Sequence, residues 1–136
     1  MNSAFLKIAV TLGAAALLAA QVHAADLVVV GNPAAAPMNK DQVADVYLGK
    51  SQAATPLDLP ESSPLRAEFY KKATGRDLAQ VKSTWSRVVF TGKGQPPKEL
   101  PDAAAVKKAV AADPKAIGYI EKSAADGSVK VLSSVD

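Results

Sequence analysis

The stretch Asp26–Leu59, DLVVVGNPAAAPMNKDQVADVYLGKSQAATPLDL, decides the fold class. Leu27-Val28-Val29-Val30 is an unbroken apolar run rich in β-branched side chains, which fits a strand buried on both faces. Gly31-Asn32-Pro33 ends it. Asn39 is placed to cap a helix, because its side chain accepts from unpaired backbone donors, and Gln42 three residues on completes a capping box. Met38 before the cap and Val43 after it are spaced for a hydrophobic staple. Val43, Val46 and Tyr47 share one helical face, and Gly49 marks the stop. Thr55 to Leu59 alternates, with Leu57 and Leu59 to one side, and predicts a second strand. Strand, helix and strand in this order imply a right-handed crossover with the two strands parallel.

Toward the C terminus the pattern stays α/β. Ser63-Pro64 predicts the start of a second helix, since proline at the first helical position gives up a donor that would be unpaired anyway. Its apolar stripe is Leu65, Phe69 and Ala73, and Gly75 ends it. Asp77, with Gln80 three residues on, caps a third helix that carries Leu78, Val81, Trp85, Val88 and Val89 at helical spacing. Gly92 to Pro101 holds two glycines and three prolines and reads as a loop. Asp102 caps a short Ala-rich helix with Val106 and Val110 inward. Ile117–Ile120 and Val129–Leu132 read as strands, with Asp126-Gly127 in the turn between them. The expectation is an α/β fold, a mixed sheet flanked by helices.

Toward the N terminus the chain reads as a secretion address. Lys7 precedes an uncharged run from Ile8 to Ala20, and Val22-His23-Ala24 resembles a cleavage site. The run has 13 residues, short of the roughly 20 that a bilayer-spanning helix needs. We therefore expect residues 1–24 to be a cleaved signal peptide, residues 25–136 to be the folded domain, and the location to be periplasmic. Cleavage removes Lys7 and the only histidine, His23. It leaves 15 basic residues (16 − 1) against 13 acidic ones. With neither His nor Cys after cleavage, Ser-His-Asp and Cys-His catalysis are excluded, and zinc, haem and iron–sulfur centres lose their usual ligands. We expect no enzyme and no cofactor. A mild, evenly spread charge without an aromatic stripe gives no support for nucleic-acid binding.

Two segments carry anion-binding potential. In Glu61-Ser62-Ser63-Pro64-Leu65-Arg66, two serines stand at a helix start, where free N–H groups and the helix dipole attract anions. Arg66 would add a charge-assisted donor. The plainer alternative is that Ser63 only caps its own helix. In Thr91-Gly92-Lys93-Gly94, two glycines around Lys93 allow close backbone approach to an anion. The alternative there is a solvated lysine on a loop. The candidate anion-binding residues are Ser62, Ser63, Arg66 and Lys93.

Five segments in order resemble the substrate-binding proteins of phosphate ABC transporters. Asp45-Val46-Tyr47-Leu48-Gly49-Lys50 is similar to that family's D-I-Y/F-L-G-K, and Glu61-Ser62-Ser63-Pro64-Leu65 to its phosphate loop D-G-S-G-T. Trp85 matches a tryptophan after that loop. Gly92-Lys93-Gly94 resembles G-K-G-N, and Ala116-Ile117-Gly118-Tyr119-Ile120-Glu121 resembles A/S-I-G-Y-V-E. The resemblance implies a single lobe of a periplasmic binding protein that takes phosphate or another small oxyanion weakly. Ser63 is the one loop residue it carries over. The family's phosphate-gripping arginine, four positions before the loop serine, is matched by Leu59, and Pro64 and Leu65 replace a glycine and a threonine. The family binds ligand between two lobes, so a single lobe implies a transporter or sensor protein, or a second copy of itself, as a partner. These losses also leave a second reading open, an interaction module that kept the fold and lost the ligand.

Overall fold

A computed structural model describes residues 26–135. The signal-peptide reading of residues 1–24 lies outside the described residues. Among these residues five strands and four α-helices follow in the order β1 (Leu27–Gly31), α1 (Lys40–Tyr47), β2 (Thr55–Asp58), α2 (Pro64–Thr74), α3 (Leu78–Phe90), β3 (Lys98–Glu99), α4 (Ala103–Ala112), β4 (Ala116–Glu121) and β5 (Lys130–Val135), with a short 3-10 turn at Lys122–Ala124 between the last two. They form one mixed sheet in the order β3-β2-β4-β1-β5. This is the α/β architecture expected from the sequence.

The helix signals act where they stand. Asn39 and Gln42 form a reciprocal capping box at α1, and Asp77 and Gln80 form another at α3. Each box satisfies donors that a helix start leaves open. Pro64 is the first residue of α2, which ends at Gly75 in the left-handed region at φ 75°. Glycine takes that conformation without a Cβ penalty.

The expected parallel crossover between the first two strands is not formed. β4 lies between them, antiparallel to β1 and parallel to β2, so β1 and β2 run in opposite directions. Hydrophobic period fixes which faces a strand buries, but it is silent about the neighbour. β1 is buried along its whole length because it is an interior strand, flanked by β4 on one side and β5 on the other. β4 and β5 likewise do not pair with each other. The loop expected over Gly92–Pro101 contains the two-residue strand β3, parallel to β2 with Leu57 opposite Lys98 and Asp58 opposite Glu99.

Cross-strand neighbours assign the two faces. Leu57 and Gly118 look toward α4, where a Cβ on Gly118 would collide with the Val106 side chain. Asp58 and Tyr119 look the other way, toward α1 and α2. There Tyr119 stacks on Phe69 with ring centroids 4.0 Å apart, and Tyr47 meets Phe69 edge-on at 4.7 Å. Trp85 of α3 fastens the outer helix to this layer, its Nε1–H donating to the Tyr47 carbonyl at 2.9 Å. That bond satisfies a carbonyl in the last turn of α1 that the helix leaves open.

Candidate functional site

The register places the C-terminal ends of β2, β3 and β4 at one end of the sheet, and α2 starts just beyond β2. Open α/β sheets bind ligands at the carboxyl ends of their strands. Asp58, the last residue of β2, is the polar centre of this region and is almost wholly buried, at 1% exposure. Its carboxylate accepts from the Tyr70 hydroxyl at 2.6 Å, from the Tyr119 hydroxyl in a short bond, and from the Leu59 N–H at 2.9 Å. Burial pushes the Asp58 carboxyl above the usual aspartate value, against the opposing pull of the two tyrosines, the Arg66 charge and the Leu59 amide. Burial, followed by the Asp58 charge, drives the Tyr70 and Tyr119 hydroxyls well above the ordinary tyrosine value. Both therefore stay protonated and act as donors.

Arg66, one turn into α2, is turned inward. One terminal nitrogen donates to the Leu59 carbonyl at 2.8 Å and to Glu99 Oε2 at 2.7 Å. Its Nε stands 3.6 Å from Asp58 Oδ2 and has no hydrogen-bond partner. The guanidinium thus ties α2 to β2 and β3, and two carboxylates balance its charge.

Ser63 caps α2, its Oγ accepting from the Leu65 N–H at 3.3 Å. The Arg66 N–H goes to the Ser63 carbonyl at 3.1 Å, and Pro64 has no N–H to give. The backbone donors Leu65 and Arg66 at the helix start are therefore engaged. A hydroxyl that accepts still has a proton to donate, and Ser62 beside it is exposed. Leu59, at the position matched to the family's arginine, is buried at 3% exposure and presents only main chain to this region. Ser62 and Ser63 stand just before α2 and Arg66 lies in its first turn, but the Arg66 guanidinium is directed to Leu59, Glu99 and Asp58 rather than to the serines. Lys93 is not with them. It borders a separate hollow of about 290 Å³ between α3 and the segment after α1, where Gln52 donates to its carbonyl at 2.9 Å.

A groove of about 530 Å³ opens beside the Asp58–Arg66 pair. One side is polar, with Arg66, Glu61 and Glu99. The other is the apolar flank of α3, with Leu78, Val81, Trp85 and Val89. Among the described residues, no group of His, Cys, Asp or Glu is arranged to hold a metal ion. Asp58, with three donors on its two oxygens, is built to order its neighbours rather than to take a proton from a substrate.

Sequence reading missed Asp58. Its signal was an acidic residue between two leucines in a strand, ordinarily the mark of a wet face. The wet face is instead roofed by α2, and the tyrosines that make burial tolerable come from 12 and 61 residues away.

No family model and no curated protein matches the chain. Solved structures do. An ABC-type phosphate transport receptor from Vibrio cholerae superposes with a TM-score of 0.61 at 20% identity, over 79% of this chain and 45% of that one. A Clostridium perfringens protein assigned as a phosphate ABC transporter substrate-binding protein, solved with phosphate bound, gives 0.59 at 16% identity, over 79% of this chain and 44% of that one. The chain spans under half the length of each of these receptors, and what it shares with the matched part of them is the mixed α/β fold.

Proposed function

We propose that the chain is a periplasmic, non-enzymatic recognition lobe that engages a small oxyanion, inorganic phosphate first, at the start of α2. The observation that carries this reading is the pair of hydroxyls on Ser62 and Ser63. They stand at the N-terminal end of an 11-residue helix with protons to spare, on a fold shared with phosphate receptors. The helix dipole adds to them. The same geometry keeps the grip loose. Leu59 supplies no guanidinium, Arg66 is already shared between Asp58 and Glu99, and Glu61 adds a repelling carboxylate. A dissociation constant in the millimolar range, about −4 kcal/mol, fits such a donor set. Lys93, in its own hollow, contributes nothing direct to this contact.

The test is a titration of the exported protein with phosphate, followed by calorimetry and by amide chemical shifts. Saturable shifts confined to Glu61–Arg66, reduced by Ser62→Ala and Ser63→Ala, are expected. Absence of heat and of shift changes there at millimolar phosphate sinks the oxyanion reading.

One observation favours a second reading, an interaction module without a small ligand. The groove beside Arg66 is walled by apolar side chains of α3, and Phe90 at the end of that helix is 90% exposed. Exposed apolar surface of this kind marks contact with another macromolecule more often than with phosphate. Co-purification of a transporter or sensor protein from the periplasm, with no phosphate response, would select this reading.

A further inference from the structure

We infer that the groove between α2 and α3 is the contact through which two copies of this chain pair about a two-fold axis. Its apolar parts are a hole and a knob. Trp85, with Pro96 and Pro97, lines the hole, and Phe90, almost entirely in water, is the knob at its edge. A lone phenylalanine at this exposure holds its ring in water at a free-energy cost that burial would recover.

The charges decide the occupant. Arg66 and Glu99 neutralise each other at 2.7 Å, and Asp58 is satisfied internally. Among groove residues that leaves Lys82 on α3 and Glu61 before α2, neither of which is in a described ion pair. One cation and one anion across a groove suit neither a strongly acidic nor a strongly basic partner. They do suit a second copy turned through 180°, which sets Lys82 of each protomer against Glu61 of the other and Phe90 of each against the other's groove. A two-fold contact requires this self-complementarity, because each patch must meet itself. The pairing does not depend on phosphate being a ligand.

Sedimentation equilibrium of the exported protein, from micromolar to millimolar concentration, provides the test. A monomer–dimer equilibrium is expected, weakened at least tenfold by Phe90→Ser, a change at an exposed site that leaves the fold intact by circular dichroism. Lys82→Glu and Glu61→Lys should each weaken pairing alone, since each sets like charges together twice. Mixed in equal amounts they should associate as a heterodimer more tightly than either variant does alone, because both cross-contacts are then opposite in sign. A wild type that stays monomeric at millimolar concentration, a Phe90→Ser variant that dimerises as wild type does, or a mixture no tighter than its components would each overturn the inference. So would a monomer whose Phe90 is shielded only when a different protein is added.

Discussion

Removing the Asp58 carboxylate should take away a large share of the protein's stability, and the cost follows from what it holds. In Asp58→Ala, the hydroxyls of Tyr70 and Tyr119 lose their acceptor in a region where Tyr70 is 1% and Tyr119 0% exposed, and the Leu59 N–H keeps only its longer bond to the Tyr119 hydroxyl at 3.2 Å. Each buried donor left unmade costs about 1–3 kcal/mol. Water entering the vacated space recovers part of that, and neighbouring losses are not additive. Arg66 also loses one of its two carboxylates, but Glu99 stays at 2.7 Å and the Asp58 contact is only 3.6 Å, so this adds less than a fully broken buried pair, which costs about 3–5 kcal/mol. The two orphaned hydroxyls dominate and put the loss at about 4 kcal/mol, against a total stability of about 5–15 kcal/mol for a domain. Urea unfolding followed by circular dichroism measures it. With a slope of about 1–3 kcal/mol per molar urea, the midpoint should fall by roughly 2 M. Asp58→Asn, which keeps the shape and one oxygen acceptor, should cost about 1–2 kcal/mol. The pH dependence separates the two forms further. The folded carboxyl titrates above its unfolded value of about 3.9, so the folded state holds more proton between the two values. Stability from this group is therefore greatest below about 3.9 and falls as pH rises through the window up to the raised value. The Asn variant lacks that proton, and its deficit relative to wild type should shrink over the same window. An Asp58→Ala protein within about 1 kcal/mol of wild type would refute the claim that this carboxylate organises the sheet end.

Other changes probe separate parts of the molecule. Gly118→Ala drives a methyl into Val106 beneath the sheet and should cost about 1–3 kcal/mol, read as a fall in Tm. Trp85→Phe keeps an aromatic side chain, though a smaller one, but removes the donor to the Tyr47 carbonyl, and should cost at least about 1–2 kcal/mol in urea. Glu99→Gln takes one carboxylate off Arg66 and should strengthen phosphate-induced shifts at Ser62 and Ser63 several-fold; unchanged or weaker shifts would mean that Glu99 is not what withholds Arg66 from the anion.

What could be read from the sequence divides by distance along the chain. Both capping boxes are complete within four residues, so Asn39 with Gln42 and Asp77 with Gln80 announce their helices without help from the rest of the molecule. Ser63-Pro64 does the same for α2, and the plain capping role of Ser63 is present alongside the anion role proposed for it. The buried run Val28–Val30 is equally local. The neighbour of β1 is not, because a strand covered on both faces is compatible with any interior position. The pairing of Leu57 with Lys98 is likewise invisible, since β3 has only two residues and no apolar alternation to betray it. Arg66 shows the same limit at the candidate site. Its spacing after the serines suggests a cation for an anion, but its partners Leu59 and Glu99 lie 7 residues before it and 33 after it.

The site and the fold thus compete for the same charges. Arg66 is the cation nearest in sequence to the two serines, and it is held by Leu59, Glu99 and Asp58 in the contact that joins α2 to β2 and β3. Asp58 in turn is tolerable in the interior because two tyrosines and an amide donate to it, and Tyr70, one of those tyrosines, stands one turn after Arg66 on the same helix. An anion strong enough to pull Arg66 outward would strip Asp58 of its cation and leave β3 tied to β2 by its short ladder and the Leu100 N–H to the Asp58 carbonyl. Under the proposed oxyanion role, the ligands this arrangement favours are those that the serine hydroxyls hold without Arg66, and those bind weakly. Tighter recognition on this surface has to come from area rather than charge, and the apolar flank of α3, ending in Phe90, is where the molecule offers it.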